Sequence, residues 1–199
     1  GGLLTCTNLG TGTYFGNNAS STITVNPTGS FGGNTYRAVY AGTIVLNGGK
    51  IENTGTSSFC TVNSRIVLTA NSEIKTTLTT SSNFFNGTVN LSNYNLTHNI
   101  TGGNAQHNGA ITGAGGIIKI GVGNLLLAAT GSAYTGNTTI NAGTITVSDT
   151  TGTPLGNGSL GSNVTVNTGA VLSIAQRYGS YSGTIILNGG QITVPTGAS

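Results

Sequence analysis

Apolar and polar residues alternate in short runs along much of the chain. In residues 22–25 and 164–166 every second side chain is aliphatic, and most of the others are threonine. An alternation of period two places one set of side chains on the inner face of a strand and the other on the outer face. The runs are followed by Asn and Gly, which tolerate the backbone conformations of tight turns. The pattern therefore predicts an all-β chain of short strands.

A longer motif, Tyr-x-Gly-x-x-x-(Leu/Ile)-Asn-x-Gly-x-Ile, recurs in the sequence. Its three copies begin at Tyr40, Tyr134 and Tyr181 and contain Asn47, Asn141 and Asn188. The copies begin 94 and 47 residues apart, and a degenerate copy begins at Phe85 between the first two. Further strand-and-turn segments lie between the copies. The spacing predicts a repeating unit of two coils, one of about 21 and one of about 26 residues, and hence about eight coils.

Coils of this length with two or three short strands are typical of a parallel β-helix, in which each coil stacks on the next. Equivalent residues then lie about 4.8 Å apart. We expect the recurring asparagines to form a hydrogen-bonded ladder and the recurring tyrosines to stack along the rod. We expect a single β-helix domain over residues 1–199, with repeat coils in 20–199 and a cap or inter-subunit segment in 1–19.

Charged residues are scarce in the sequence. The 199 residues include six Lys or Arg, three Asp or Glu and 34 Gly. Like charges would repel each other on stacked coils, whereas Thr and Ser stack freely, so this composition agrees with a solenoid. The basic residues form no cluster, which argues against a nucleic-acid partner. The longest apolar stretch, 125–129, is far shorter than the roughly 20 residues of a membrane span, so we expect none.

Residues 113–147 carry a recognisable repeat. Lys119, Gly121 and Gly123 are spaced as in the pattern apolar-x-Lys-x-Gly-x-Gly-x-Leu, and a Tyr-x-Gly-x-Thr-x-Ile segment follows from Tyr134. The stretch resembles the autotransporter-associated β-strand repeat of Gram-negative passenger domains, with Ala133 where that family usually has Asn. The resemblance implies a right-handed parallel β-helix exported to the cell surface, which acts as a stalk, adhesin or filament and not as an enzyme.

The acidic residues give little support for catalysis. Glu52 and Glu73 lie 21 residues apart, one predicted coil, so a carboxylate pair suited to acid–base chemistry on a sugar is one interpretation. The alternative, which the sequence favours, is two solvated surface charges near Lys50 and Lys75. We therefore predict no enzymatic activity.

Histidine and cysteine residues are equally sparse. His98 and His107, even when combined with Asp149, have no spacing typical of a catalytic triad or a metal site. We expect no catalytic residue, no metal and no cofactor. Cys6 and Cys60 are the only cysteines and form a disulfide candidate, with two separate thiols as the alternative.

These observations predict a non-enzymatic structural or adhesive protein of the cell surface or extracellular space. We expect it to be exported, with a leader removed or the chain excised from a longer precursor. A β-helix has open ends with unpaired backbone groups, so copies that stack end to end and a segment of a longer adhesin stalk both remain open. A carbohydrate-active or carbohydrate-binding β-helix is the third alternative. The expected partners are further copies of the chain or surface glycans.

Overall fold

The chain winds through three parallel β-sheets in repeated turns. The computed structural model describes residues 3–5, 20–32, 42–53, 60–77, 82–129, 131–148, 163–175 and 181–194. Within these ranges all regular structure is strand and none is helix. In each complete turn the chain visits sheet 1, sheet 2 and sheet 3 in that order. The predicted all-β parallel β-helix is thereby confirmed.

In the part of the chain that the structure describes, each sheet takes one short strand from a turn, which gives six strands in sheet 1, nine in sheet 2 and seven in sheet 3. Sheet 1 has six strands: β2 (Thr22–Val25), β4 (Thr43–Asn47), β7 (Arg65–Ala70), β10 (Val89–Asn90), β13 (Ile111–Gly113) and β16 (Ala133–Tyr134). Sheet 2 has nine strands: β1 (Leu3–Thr5), β3 (Ser30–Gly32), β5 (Lys50–Asn53), β8 (Ser72–Thr76), β11 (Leu96–Ile100), β14 (Ile117–Ile120), β17 (Thr138–Ile140), β19 (Asn163–Asn167) and β21 (Thr184–Asn188). Sheet 3 has seven strands: β6 (Cys60–Val62), β9 (Ser82–Phe85), β12 (Asn104–His107), β15 (Asn124–Leu127), β18 (Thr144–Val147), β20 (Val171–Ile174) and β22 (Gln191–Thr193).

The core lies between the three sheets and consists of columns of stacked side chains. In sheet 2 one column runs through Ile51, Ile74, His98, Lys119 and Ile140, one residue per turn. All five side chains are buried. Aliphatic residues dominate the corresponding columns of sheets 1 and 3 because every second residue of each strand points inward.

The structure corrects the predicted number and length of the coils. The sheets stack as a solenoid of about six turns, fewer than the eight predicted. The number six equals the number of described strands in sheet 1, because only strands of sheets 2 and 3 are described in the last turns. The predicted pairing of a coil of about 21 residues with one of about 26 does not repeat regularly: registered residues of sheet 2 lie from 20 residues apart, Ser30 and Lys50, to 27 apart, Leu3 and Ser30.

The irregular coil length also changes how the repeated motif is placed. Ile51 and Ile140 are separated by four turns and by 89 residues, whereas the motif copies at Asn47 and Asn141 are 94 residues apart. The five extra residues move the motif from one corner of the solenoid to another. Asn47 consequently ends a strand of sheet 1, whereas Asn141 follows a strand of sheet 2.

Candidate functional site

The last described turn leaves part of the core uncovered. Among the described strands, β21 pairs only with β19 and β22 only with β20, so no described strand covers the edge of either one toward the end of the described chain. Leu187 continues the column of Val166, and Ile192 continues the column of Leu172. Val166 and Leu172 are fully buried, whereas Leu187 is 50% and Ile192 39% exposed. We call the surface formed by Leu187, Ile192 and the uncovered edges of β21 and β22 the open end.

Asparagine side chains form ladders at the corners of the solenoid. Asn47 Nδ2 donates to Asn26 Oδ1 at 2.9 Å at the exit of sheet 1. At the exit of sheet 2, Asn167 Nδ2 donates to Asn141 Oδ1 at 2.7 Å, and Asn188 Nδ2 donates to Asn167 Oδ1 at 3.0 Å. The predicted ladder residues Asn47 and Asn141 therefore lie in two separate ladders.

A third ladder, which the sequence analysis did not identify, runs along the exit of sheet 3. Asn86 Nδ2 donates to Asn63 Oδ1, and Asn108 Nδ2 donates to Asn86 Oδ1, both at 2.8 Å. In all three ladders each amide donates to the asparagine of the preceding turn. The ladders thus have a direction, with donor groups toward the N-terminal turns and acceptor groups toward the open end.

The outer face of sheet 2 carries the charged residues that the sequence pointed to. Lys50 lies opposite Glu73, and Glu52 lies opposite Lys75, on the neighbouring strands β5 and β8. Glu52 accepts from Lys50 Nζ at 2.6 Å and from Lys75 Nζ at 2.8 Å. Glu73 accepts from Asn99 Nδ2 at 2.8 Å. Each carboxylate faces a lysine, so these two acids are not arranged as a pair that shares a proton.

The ion pairs set the protonation of Glu52. Desolvation raises the pKa of this carboxyl, but hydrogen bonds from Lys50, Lys75 and Ser30 outweigh it and lower the pKa to about 2. A groove of about 530 Å³ lies beside Lys50 and Glu73, and its floor includes Gly48 and Gly49. None of the described residues that line this groove is aromatic, and sugar rings often bind by stacking on aromatic side chains.

Two histidines and a lysine occupy the core of the middle turns. His98 on β11 and His107 on β12 are completely buried, and their ring centroids lie 4.9 Å apart in an edge-to-face arrangement. Neither ring nitrogen of either residue has a hydrogen-bond partner. Burial lowers the pKa of His107 to about 3 and also lowers that of His98, on which the neighbouring His107 and Lys119 act in the same direction.

Lys119 is buried beside His98 but has hydrogen-bond partners. Its Nζ donates to the backbone carbonyls of Ile120, Gly121 and Ala142 at 2.9, 2.6 and 3.2 Å. Burial lowers its pKa to about 8. The sequence analysis identified Lys119 only as part of a repeat and treated the histidines only as failed catalytic or metal motifs. Their inward positions in the two-residue alternation were the signal that it missed.

The aromatic residues of the motif have different surroundings. Tyr134 is buried on β16, where its hydroxyl group is hydrogen-bonded to Thr138 Oγ1 at 2.5 Å, and burial raises its pKa. Tyr181 is partly buried against the core. Phe85 stacks on His107 in sheet 3, with 4.8 Å between ring centroids. Phe85 and Tyr134 therefore belong to different sheets.

Some predicted residues lie outside the described part of the chain. Tyr40, Cys6 and Asp149 are outside it, as is the side chain of Cys60, and with them the disulfide prediction. Among the described residues no group of three or more His, Cys, Asp or Glu side chains is placed to hold a metal ion. The same residues include no helix long and apolar enough to cross a membrane.

Comparisons with protein-family models, with curated proteins and with solved structures found no match to this chain.

Proposed function

We propose that this chain is a non-enzymatic extracellular structural protein, a rigid β-solenoid rod whose open end stacks on the N-terminal turns of a second copy. Repetition of this contact builds a filament, because a head-to-tail contact between identical copies does not close on itself. The observation that carries the proposal is the exposed core of the last turn. Such a surface, with unpaired strand edges around it, is a template for a further strand layer.

Two features favour a second copy as the occupant of the open end. First, the sheet 2 column that ends in Leu187 begins in the N-terminal turns with the buried apolar side chains of Phe31 and Ile51, so the N-terminal turns of another copy continue it with apolar residues. Second, the polar ladders all run in the same direction, although the ladder of Asn26 lies at the exit of sheet 1 and that of Asn188 at the exit of sheet 2. Asn188 Oδ1 accepts from no described residue, and Asn26 Nδ2 donates to none. Head-to-tail stacking keeps the direction of these hydrogen bonds.

The chemistry of the side surfaces supports a structural role. The described acids, Glu52 and Glu73, are each opposite a lysine, and the described histidines are enclosed in the core. The resemblance of residues 113–147 to an autotransporter repeat supports export to the cell surface.

The proposal is tested by placing charges on the open end. We expect the purified wild-type chain to form fibres in electron microscopy and to elute as large species in size-exclusion chromatography. The double variant Leu187→Lys/Ile192→Lys should remain a monomer, because each copy would have to bury two unpaired ammonium groups. Val122→Lys is the matched control, since Val122 is 78% exposed at a corner between β14 and β15, on the side of the rod.

The outcomes distinguish the proposal from its alternatives. End-to-end stacking is supported if wild type and Val122→Lys form fibres while the double variant stays monomeric. Circular dichroism must show that the double variant keeps its β-structure. A wild-type chain that stays monomeric at all concentrations overturns the filament and favours a segment of a longer stalk. Fibres of the double variant show that assembly uses another surface, with sheet 2 as the next to test.

A further inference from the structure

The middle of the solenoid contains two imidazoles in surroundings that do not suit a charged ring. His98 and His107 are fully buried, lie edge to face, and have four ring nitrogens without a hydrogen-bond partner. A neutral imidazole tolerates such surroundings at the cost of one unmet N–H donor. An imidazolium ion there would have two unmet donors and a buried charge, which is far more costly.

The neighbouring strands offer no negative charge to the pair. From sheet 2, β8 contributes the inward side chain of Ile74 and β14 contributes Lys119, which is a cation. From sheet 3, β9 contributes Phe85 and β15 contributes Leu127.

The described carboxylates are placed elsewhere. Glu52 and Glu73 lie on the outer face of sheet 2. There Glu52 forms ion pairs with two lysines, and Glu73 accepts a hydrogen bond from Asn99. No described acid therefore accompanies a proton taken up by either histidine. The two rings and Lys119 would instead repel one another as cations within one core.

We propose that the His98–His107 pair makes the middle turns of the solenoid acid-labile, so that these turns stay packed at neutral pH and open in mildly acidic solution. In the unfolded chain both imidazoles bind protons near pH 6.5. In the folded chain burial lowers the pKa of both rings well below this value. Below pH 6.5 the opened state therefore binds two more protons than the folded state, and acid favours opening.

The size of the effect follows from the number of protons. Each histidine that is neutral when folded and protonated when unfolded raises the ratio of unfolded to folded protein about tenfold per pH unit. That limit is reached well below pH 6.5; between pH 6 and pH 5 each histidine contributes about eightfold and the pair raises the ratio about 60-fold. Lys119 contributes nothing in this range, because its folded pKa of about 8 keeps it protonated in both states.

The experiment is urea unfolding of the full chain at several pH values between 7.5 and 5, followed by circular dichroism. Between pH 6 and pH 5 we expect the ratio of unfolded to folded protein to rise about 60-fold for wild type, about eightfold for His98→Leu or His107→Leu, and almost not at all for the double variant. Leucine suits both positions because one neighbour in each column is aliphatic, Ile74 beside His98 and Leu127 beside His107. A double variant that keeps the wild-type pH dependence overturns the proposal.

Two further measurements complete the test. Glu52→Gln is the control for general acid effects; it should keep the wild-type slope between pH 6 and 5, because Glu52 exchanges protons mainly below pH 4.5. If the leucine variants do not fold, nuclear magnetic resonance of the ring signals in the wild type decides. Rings that stay neutral in the folded chain down to pH 5 support the proposal, and rings that titrate near pH 6.5 without unfolding overturn it.

Discussion

At the scale of single residues, a few inward polar side chains interrupt an otherwise aliphatic core. Lys119 lies in an inward column of sheet 2 between His98 and Ile140, yet its Nζ reaches the corner after β14. There it donates to three backbone carbonyls that belong to two successive turns. These carbonyl groups are partly buried, so a donor that reaches them from the core side helps to satisfy them. Lys119 thus links two successive turns by hydrogen bonds from inside the solenoid.

We expect Lys119→Met to destabilise the protein at pH 7 by about 1–3 kcal/mol, because the methionine fills the same space but leaves three carbonyls without their donor. Urea unfolding monitored by circular dichroism measures the change. Lys75→Met is the matched control: Lys75 makes its ion pair with Glu52 on the outer face, where such pairs contribute at most about 1 kcal/mol. Equal losses in the two variants would contradict the role given to Lys119.

At the scale of the strand and its corner, glycine allows successive turns to approach closely. Gly87 and Gly109 follow Asn86 and Asn108 at the corner between sheets 3 and 1. A Cβ atom at Gly87 would lie 1.9 Å from the backbone oxygen of Ser64, and one at Gly109 would lie 2.0 Å from the backbone oxygen of Gly87. The side chain of any other residue would push the turns apart. The recurring Asn-Gly pair thus combines a ladder residue with a contact residue.

A substitution at such a contact should destabilise the protein more than a substitution at a glycine with free space around it. We expect Gly109→Ala to destabilise the chain by about 3 kcal/mol, because the methyl group overlaps backbone that cannot move without breaking strand pairing. Gly169→Asn is the control, since Gly169 has a φ of 77° with nothing within 4 Å of an added Cβ. Asparagine tolerates this conformation, so the cost should stay below about 1 kcal/mol. Thermal unfolding of both variants checks the comparison, and a milder effect at Gly109 would contradict it.

At the scale of the whole molecule, each turn contacts mainly the turns before and after it. Every described strand pairs with the strands of adjacent turns in its own sheet. Stability in such a solenoid is approximately a sum of terms for each turn and its neighbours. A defect in a middle turn therefore affects both halves of the rod, whereas a defect in the last turn affects one neighbour.

This arrangement predicts a position-dependent response to cavities. Leu96 in β11 is fully buried, and Leu96→Ala should cost about 2–5 kcal/mol and lower hydrogen-exchange protection in the turns on both sides. Ile185 in β21 is only partly buried, so Ile185→Ala should increase exchange in β21 and β22 and leave the middle turns protected. Hydrogen exchange resolved by strand makes the comparison. Loss of protection throughout the chain in both variants would show that the rod unfolds as one unit.

The sequence by itself determined the fold class. The two-residue alternation, the Asn and Gly corners and the scarcity of charge predict stacked parallel coils, because each is a local requirement of a strand or a turn. The sequence did not determine which corner each motif occupies. A repeat spacing gives only the summed length of strands and corners. The distance from Asn47 to Asn141 exceeds four turns by five residues, which places the two asparagines in different ladders.

Only the tertiary structure decided which side chains meet across turns and sheets. His98 and His107 are nine residues apart in sequence, and they meet because the corner after β11 brings sheet 3 against sheet 2. Glu52 and Glu73 are one turn apart, and the register places each opposite a lysine instead of opposite the other acid. Such contacts depend on a register of single residues, which is fixed by the packing of the whole turn and not by local preference.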